Sequence, residues 1–247
     1  MFDSTVKAYA TRALASLALA LGVVGTLMLT GPSNARQSPV SARGHAMLTG
    51  RADAIDGDTL LVGGIRVRLE GIDAPEAEQT CTDAQGRTWN CGSEAQWFLA
   101  GLVATELVHC EERGLDTYKR LLGVCRAGAI EVNAELVRRG LAWAFTRYSQ
   151  SYVAHEAEAR RAKAGIWAGP AQPAWEYRAQ RWQAAETGGE APAGCPIKGN
   201  VTASGRIYHL PWSPWYGRVK MDGARGKRWF CSEAEAIAAG WRAAHVH

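Results

Sequence analysis

The spacing of apolar positions changes several times along this chain, and each change marks a different element. Residues 13–30 are a predominantly apolar run, ALASLALALGVVGTLMLT, preceded by Lys7 and Arg12. Further on, Thr59–Val62 is a short apolar stretch followed by Gly63-Gly64, and Ile65-Arg66-Val67-Arg68-Leu69-Glu70 then alternates strictly. Alternation beside a two-glycine turn predicts a β-hairpin, with Ile65, Val67 and Leu69 toward a core and Arg66, Arg68 and Glu70 on the other face. Pro75 blocks continuation of the strand beyond Asp73-Ala74. From Ser93 the period lengthens: Ala95, Phe98, Leu99, Leu102 and Val103 fall on one face of a helix. Glu106–Glu111 and Leu121–Arg126 read as strands joined by a polar loop carrying Asp116, Tyr118, Lys119 and Arg120. Asn133 is expected to cap a helix over Ala134–Arg139, which Gly140 stops. A third helix is expected over His155–Ala164, ending at Gly165-Ile166-Trp167. This order of elements predicts a small α+β domain, mainly β, built around a barrel.

Residues 168–193 lack strong apolar periodicity and are expected to be a connector with a turn of helix around Trp175–Trp182. A second compact unit is expected from Gly194 onward. The 247 residues, 47% of them hydrophobic, suffice for a sizeable core, and 21% charged residues argue against wholesale disorder. With one long apolar run, a multi-span membrane protein is excluded. That run, with Ser33-Asn34-Ala35 as a cleavage signal before Arg36, predicts a signal peptide, the alternative being an uncleaved N-terminal anchor. Either exports the rest of the chain to an oxidising compartment, periplasmic or secreted, where the six cysteines are expected to pair. Their spacing suggests local couples: Cys81 with Cys91, Cys110 with Cys125, Cys195 with Cys231. The trio Cys195, His209 and Cys231 leaves zinc as a minor alternative, lacking a fourth ligand.

Three carboxylates, Asp58, Asp73 and Glu76, fall in loops around the same hairpin. Brought together, they would repel unless a cation or protons intervened, and oxygen-only ligands suit a hard cation such as Ca²⁺ or Mg²⁺. Arg68 and Arg120 in neighbouring segments suit the oxygens of a phosphate diester. Taken singly these are ordinary surface charges in turns. As a set they resemble a known family.

The strings Ala54-Ile55-Asp56-Gly57-Asp58-Thr59, Arg68-Leu69-Glu70-Gly71-Ile72-Asp73-Ala74-Pro75-Glu76, Gly92-Ser93-Glu94-Ala95, Tyr118-Lys119-Arg120, Val132-Asn133-Ala134-Glu135-Leu136-Val137-Arg138-Arg139-Gly140-Leu141-Ala142 and Ala164-Gly165-Ile166-Trp167 resemble the staphylococcal (thermonuclease-like) nuclease family across Met47–Gly169. The resemblance implies a five-stranded OB-type barrel with three helices and Ca²⁺-dependent hydrolysis of DNA and RNA. It implies Asp58, Asp73 and the backbone carbonyl of Ala74 as Ca²⁺ ligands. Glu76 would be the general base, Arg68 and Arg120 the phosphate-binding arginines, and Tyr118 and Tyr148 substrate contacts. The family's second pocket tyrosine is Thr146 here, and its Tyr-Gly-Arg is Tyr118-Lys119-Arg120. Trp97, Trp143 and Trp167 are expected to pack rather than to bind ligand. The organisation expected is 1–35 signal or anchor, 36–46 linker, 47–170 nuclease domain, 171–193 linker and 194–247 C-terminal α/β module. No obligate protein partner is implied, and a monomer is expected. The alternatives are a non-catalytic OB-fold module that binds nucleic acid and an envelope-polysaccharide role. Retention of Asp58, Arg68, Asp73, Glu76 and Arg120 together favours the enzyme.

The C-terminal unit is similar to a short module at the end of some secreted bacterial nuclease-like proteins, including ones linked to exopolysaccharide production. The chain carries a net charge of +4, unevenly spread. Residues 194–247 hold eight Lys and Arg against three acids, whereas residues 36–193 hold 18 against 20. Basic residues interleaved with Tyr208, Trp212, Trp215, Tyr216 and Trp229 suit polyanion contact; the bland reading is an aromatic core stapled by a disulfide. Removing residues 194–247 is expected to weaken salt-sensitive binding of single-stranded DNA while leaving any Ca²⁺ requirement intact, as read by titrations at two ionic strengths.

Overall fold

The structure, a computed structural model, describes residues 46–222 and 226–244. The expected signal or anchor over residues 1–35, and linker residues 36–45, lie outside them. No helix among the described residues is long and apolar enough to cross a membrane.

The first sheet takes its strands from across the first half of the chain: β1 (Met47–Gly50), β2 (Ala52–Ala54), β3 (Thr59–Val62) and β4 (Ile65–Leu69), with three more further on. Short pairs follow: β5 (Ile72–Asp73), then β6 (Cys81–Thr82) with β7 (Thr88–Trp89). After helix α1 (Cys91–Val103) come β8 (Val108–Leu115), β9 (Leu121–Ala127) and β10 (Ile130–Glu131). The main sheet runs β1-β8-β9-β4-β3-β2, with β10 added beside β9. All its pairs are antiparallel except β4 with β9. The two ends of this path, β1 and β2, are successive in the chain and separated only by Arg51, whose carbonyl accepts from the Gly63 N–H at 2.9 Å. The sheet therefore curls back on one bent strand, as in an OB-type fold. Gly63 and Gly64 take positive φ (55° and 87°), the conformation a two-residue hairpin turn needs.

Helix α1 buries Ala95, Leu99 and Val103, spaced by four, against a core that includes Leu60, Val67, Leu69 and Val108. Helix α2 (Val132–Arg138) packs on the same sheet, α3 (Val153–Ala162) packs on α2 and on β11 (Trp143–Ala144), and β11 pairs with β5. Three expectations are corrected. Ile65 is 49% exposed among the described residues because it stands beside the turn at the hairpin tip; Val67 and Leu69 are buried as the alternation requires. Trp97 is also exposed, since it lies about 200° round the helix from Ala95. Asn133 lies inside α2 and does not cap it. Its fully buried side chain accepts from Cys125 N–H at 3.1 Å and donates to the carbonyls of Glu70 (3.0 Å) and Gly123 (3.1 Å). It satisfies backbone groups where β4 and β9 meet the helix.

The connector holds a 14-residue helix, α4 (Ala174–Thr187), far longer than one turn. Beyond it, a four-stranded sheet runs β14 (Arg228–Phe230), β12 (Ile197–Thr202), β13 (Gly205–His209) and β15 (Arg242–Ala243), with α5 (Glu233–Ala238) between its last strands in the chain. Ile197, Tyr208, Phe230, Ala236 and Trp241 form its core, so part of the aromatic set is packing. The cysteines pair 81 with 91, 110 with 125 and 195 with 231, and none is free among the described residues. The last pair overturns the zinc alternative, because both sulfurs are spent on each other.

His209 is buried in this unit, and its Nδ1 finds no hydrogen-bond partner among the described residues. Burial, and then the charge of Lys198, push its pKa down from 6.5 to about 4. An unfolded chain takes up this proton near 6.5 and the folded chain resists it until about 4. The neutral ring's contribution to stability is therefore full above 6.5 and is lost as pH falls through that window. His209→Gln is expected to lose less thermal stability than the native chain between pH 7 and pH 4.5, as read by melting curves.

Candidate active site

The predicted carboxylates meet at the start of β3 and the ends of β4 and β5. Asp58 precedes β3, Asp73 closes β5, and Arg68 on β4 reaches both. Arg68 donates from Nη1 to Asp58 Oδ1 at 2.6 Å and from Nη2 to Asp73 Oδ1 at 2.8 Å. Asp58 Oδ2 accepts from the Ala74 N–H at 3.0 Å, which locks the loop after β5 against the loop before β3. Asp73 is fully buried and Asp58 nearly so. Burial would lower the Arg68 pKa, but Asp58, Asp73 and Asp56 outweigh it and hold it above the ordinary arginine value. Burial, with help from Asp58, pushes Asp56 up to about 6.

Glu76 sits one turn of loop further on. Its N–H donates to Gln79 Oε1 at 3.1 Å, its carbonyl accepts from Gln79 N–H at 2.7 Å, and Gln79 Nε2 donates to the Gln172 carbonyl at 2.6 Å. This buried Gln79 fixes the loop that carries Glu76. Gly92, at the start of α1, is needed for the same reason: a side chain there would overlap the Glu76 carbonyl oxygen. Burial pushes the Glu76 carboxyl up to about 7, against the opposing pull of Arg178. A carboxylate poised near neutrality suits proton transfer.

Arg178, from α4, was not foreseen. Its Nη2 donates to Asp73 Oδ2 at 2.7 Å, and its Nη1 donates to Asp73 Oδ1 at 3.1 Å and to Glu76 Oε1 at 2.7 Å. It came from a stretch that lacked apolar periodicity. The signal available was Trp175, Arg178 and Trp182 at i, i+3 and i+7, one face of a helix. Trp175 stacks on Phe145 at 5.7 Å, and Trp182 joins the C-terminal core.

Arg120 and Tyr118 are placed differently. Both line the same cleft of about 860 Å³, as do Arg68, Glu76, Arg178 and Tyr148. The Arg120 guanidinium, however, pairs with Asp116 through Nε at 2.6 Å and lies 5.1 Å from the Tyr118 ring centroid, so it is not joined to the carboxylate cluster. Tyr148 is exposed at the rim. Tyr208 and Trp212 of the C-terminal unit line the cleft as well.

Among the described residues, no three acidic, histidine or cysteine side chains are arranged to hold a metal ion on their own. A cation here would take Asp58 and Asp73 together with backbone carbonyl, water or phosphate oxygens. That donor set is all hard oxygen, which fits Ca²⁺ in kind.

A family model described as Staphylococcal nuclease homologue matches residues 66–169, and one described as ArfC matches residues 176–243. Micrococcal nuclease of Shigella flexneri is 37% identical over 142 residues, covering 50% of this chain and 76% of that protein. An uncharacterized endonuclease of Haemophilus influenzae is 34% identical over 134 residues, covering 51% and 69%. The chain belongs to the staphylococcal nuclease family. It is also 39% identical over 123 residues to the succinoglycan biosynthesis protein ExoI of Rhizobium meliloti (strain 1021), covering 49% of this chain and 64% of that one.

The family's loop glycine before Arg120 is Lys119 here, and Lys119 takes φ 60°, the left-handed conformation a glycine would favour. Lys119→Gly is expected to raise stability by up to about 1 kcal/mol, the strain relieved less the entropy glycine adds to the unfolded chain. Urea unfolding reads this, and a loss of stability would contradict the loop geometry.

Proposed function

We propose that the protein is an exported Ca²⁺-dependent nuclease that hydrolyses phosphodiester bonds in DNA and RNA. The observation that carries this reading is the hydrogen-bonded cluster in which Arg68 joins Asp58 to Asp73 and Arg178 joins Asp73 to Glu76, with Arg68 and Glu76 facing the cleft. Glu76 takes the proton of the attacking water, directly or through a second water, which its raised pKa favours. Arg68 and Arg120 hold phosphate oxygens and offset the charge that builds in the transition state. Asp58, Asp73 and the Ala74 carbonyl would hold Ca²⁺, and the bound ion would supply Lewis-acid polarisation of the phosphate. Tyr118 and Tyr148 at the cleft rim contact the nucleotide.

In this reading β1 and β2 act as one strand of a closed five-stranded barrel, supported by the sheet path that begins and ends on them. The nuclease domain spans 47–170, and the three disulfides support an oxidising compartment. The similarity to ExoI favours, as second reading, an envelope-polysaccharide role in which nucleic-acid cleavage is accessory.

Purified chain from Arg36 onward is expected to degrade single-stranded DNA in excess Ca²⁺ and to stop on addition of a chelator. Glu76→Gln and Arg68→Ala are each expected to lower kcat by about 100-fold or more. Release of acid-soluble nucleotides measures both, and an undiminished rate in either variant would sink the site assignment.

A further inference from the structure

Arg178 occupies the carboxylates on which the proposed Ca²⁺ site depends. Asp73 Oδ1 already accepts from Arg68 and Arg178, and its Oδ2 accepts from Arg178 again. Glu76 Oε1 is bound by the same guanidinium. A divalent ion approaching Asp73 would meet two guanidiniums whose charge repels it and whose N–H groups take up most of the carboxylate's lone pairs.

The arginine is held there by construction. Its side chain is 22% exposed, so the ion pairs are shielded from solvent in part. Helix α4 is anchored on both sides of it. Ala174 packs with Trp143 and Ile166 of the nuclease domain, and Trp175 stacks on Phe145. Beyond Arg178, Arg181 donates to the Pro211 carbonyl at 3.3 Å, and Trp182 packs into the C-terminal core. The ArfC match begins at residue 176, so Arg178 belongs with the C-terminal unit and not with the nuclease match.

We propose that Arg178 is a tethered cation that occupies the divalent-cation site, so that α4 and the C-terminal unit gate metal binding by the nuclease domain. The guanidinium and the divalent ion exclude each other at Asp73. Metal binding then requires Arg178 to withdraw, and whatever displaces α4 raises the affinity for metal. This rests on the proposed metal site; the test separates the two.

Ca²⁺ binding is measured by calorimetry, without nucleic acid, on the chain from Arg36 onward and on Arg178→Gln, Arg178→Lys and the control Arg161→Gln, which removes one exposed charge in α3, away from α4. Arg178→Gln is expected to bind Ca²⁺ about ten-fold tighter or more than the native chain, and its melting temperature to rise further on Ca²⁺ addition, because the metal replaces a lost internal cation. Arg178→Lys, which keeps the charge but lacks the planar fork, is expected between the two, and Arg161→Gln within about two-fold of native. In the native chain, saturating Ca²⁺ is expected to raise hydrogen exchange in α4, which decides the matter if Arg178→Gln fails to fold. Equal or weaker Ca²⁺ affinity in a folded Arg178→Gln overturns the proposal, as does native α4 exchange that Ca²⁺ binding leaves unchanged. Should no form bind Ca²⁺, the proposal and the Ca²⁺ reading of the nuclease fall together. A tighter-binding Arg178→Gln that cuts no DNA keeps the gate and overturns the nuclease reading alone.

Discussion

The carboxylate of Asp73 has no contact with solvent, and the rest of the site is organised around compensating it. An unpaired charge in that position would cost several kcal/mol or would stay protonated. Two guanidiniums from opposite directions meet the need: Arg68 from the hairpin strand β4, and Arg178 from α4. Each in turn requires its own element to be in register. Arg68 reaches Asp73 because β4 pairs with β3 so that Thr59 faces Arg68, which brings Asp58 alongside. Asp73 itself is held by the pairing of β5 with β11. The fold's local geometry and its electrostatics are thus one constraint seen twice.

Much of this was legible in the residue pattern, for physical reasons that can be named. The hairpin announced itself because alternation flanks two glycines, and α1 because Ala95, Leu99 and Val103 share one face. What was hidden depends on neighbours distant in sequence. Ile65 obeys the alternation yet stands half-exposed at the hairpin tip. Asn133 has the chemistry of a cap, but the backbone groups beside it, from Glu70, Gly123 and Cys125, claimed its side chain. The cleft arginines divided in the same way. Arg68 joins the carboxylates, while Arg120 is paired within its own loop by Asp116, a residue whose partner the sequence alone did not identify. Arg178 was hardest to see, because polar residues surround the two tryptophans that aim it.

The two parts of the chain divide the electrostatic work unevenly. The nuclease part is slightly acidic, so a polyanion finds little long-range attraction there. The C-terminal unit carries the basic excess, contributes Tyr208 and Trp212 to the cleft wall, and arrives together with Arg178. The basic excess and the second guanidinium on Asp73 thus come with the same unit.

The three disulfides bear on that unit in another way. Two lie wholly in the nuclease part and one wholly in the C-terminal unit. Oxidation therefore hardens each part separately and adds no covalent tie between them besides the chain itself. The seating of α4 across the cleft is held by tryptophan contacts and ion pairs, which form and break without bond chemistry. A redox environment harsh enough to set every sulfur bridge still leaves that seating reversible.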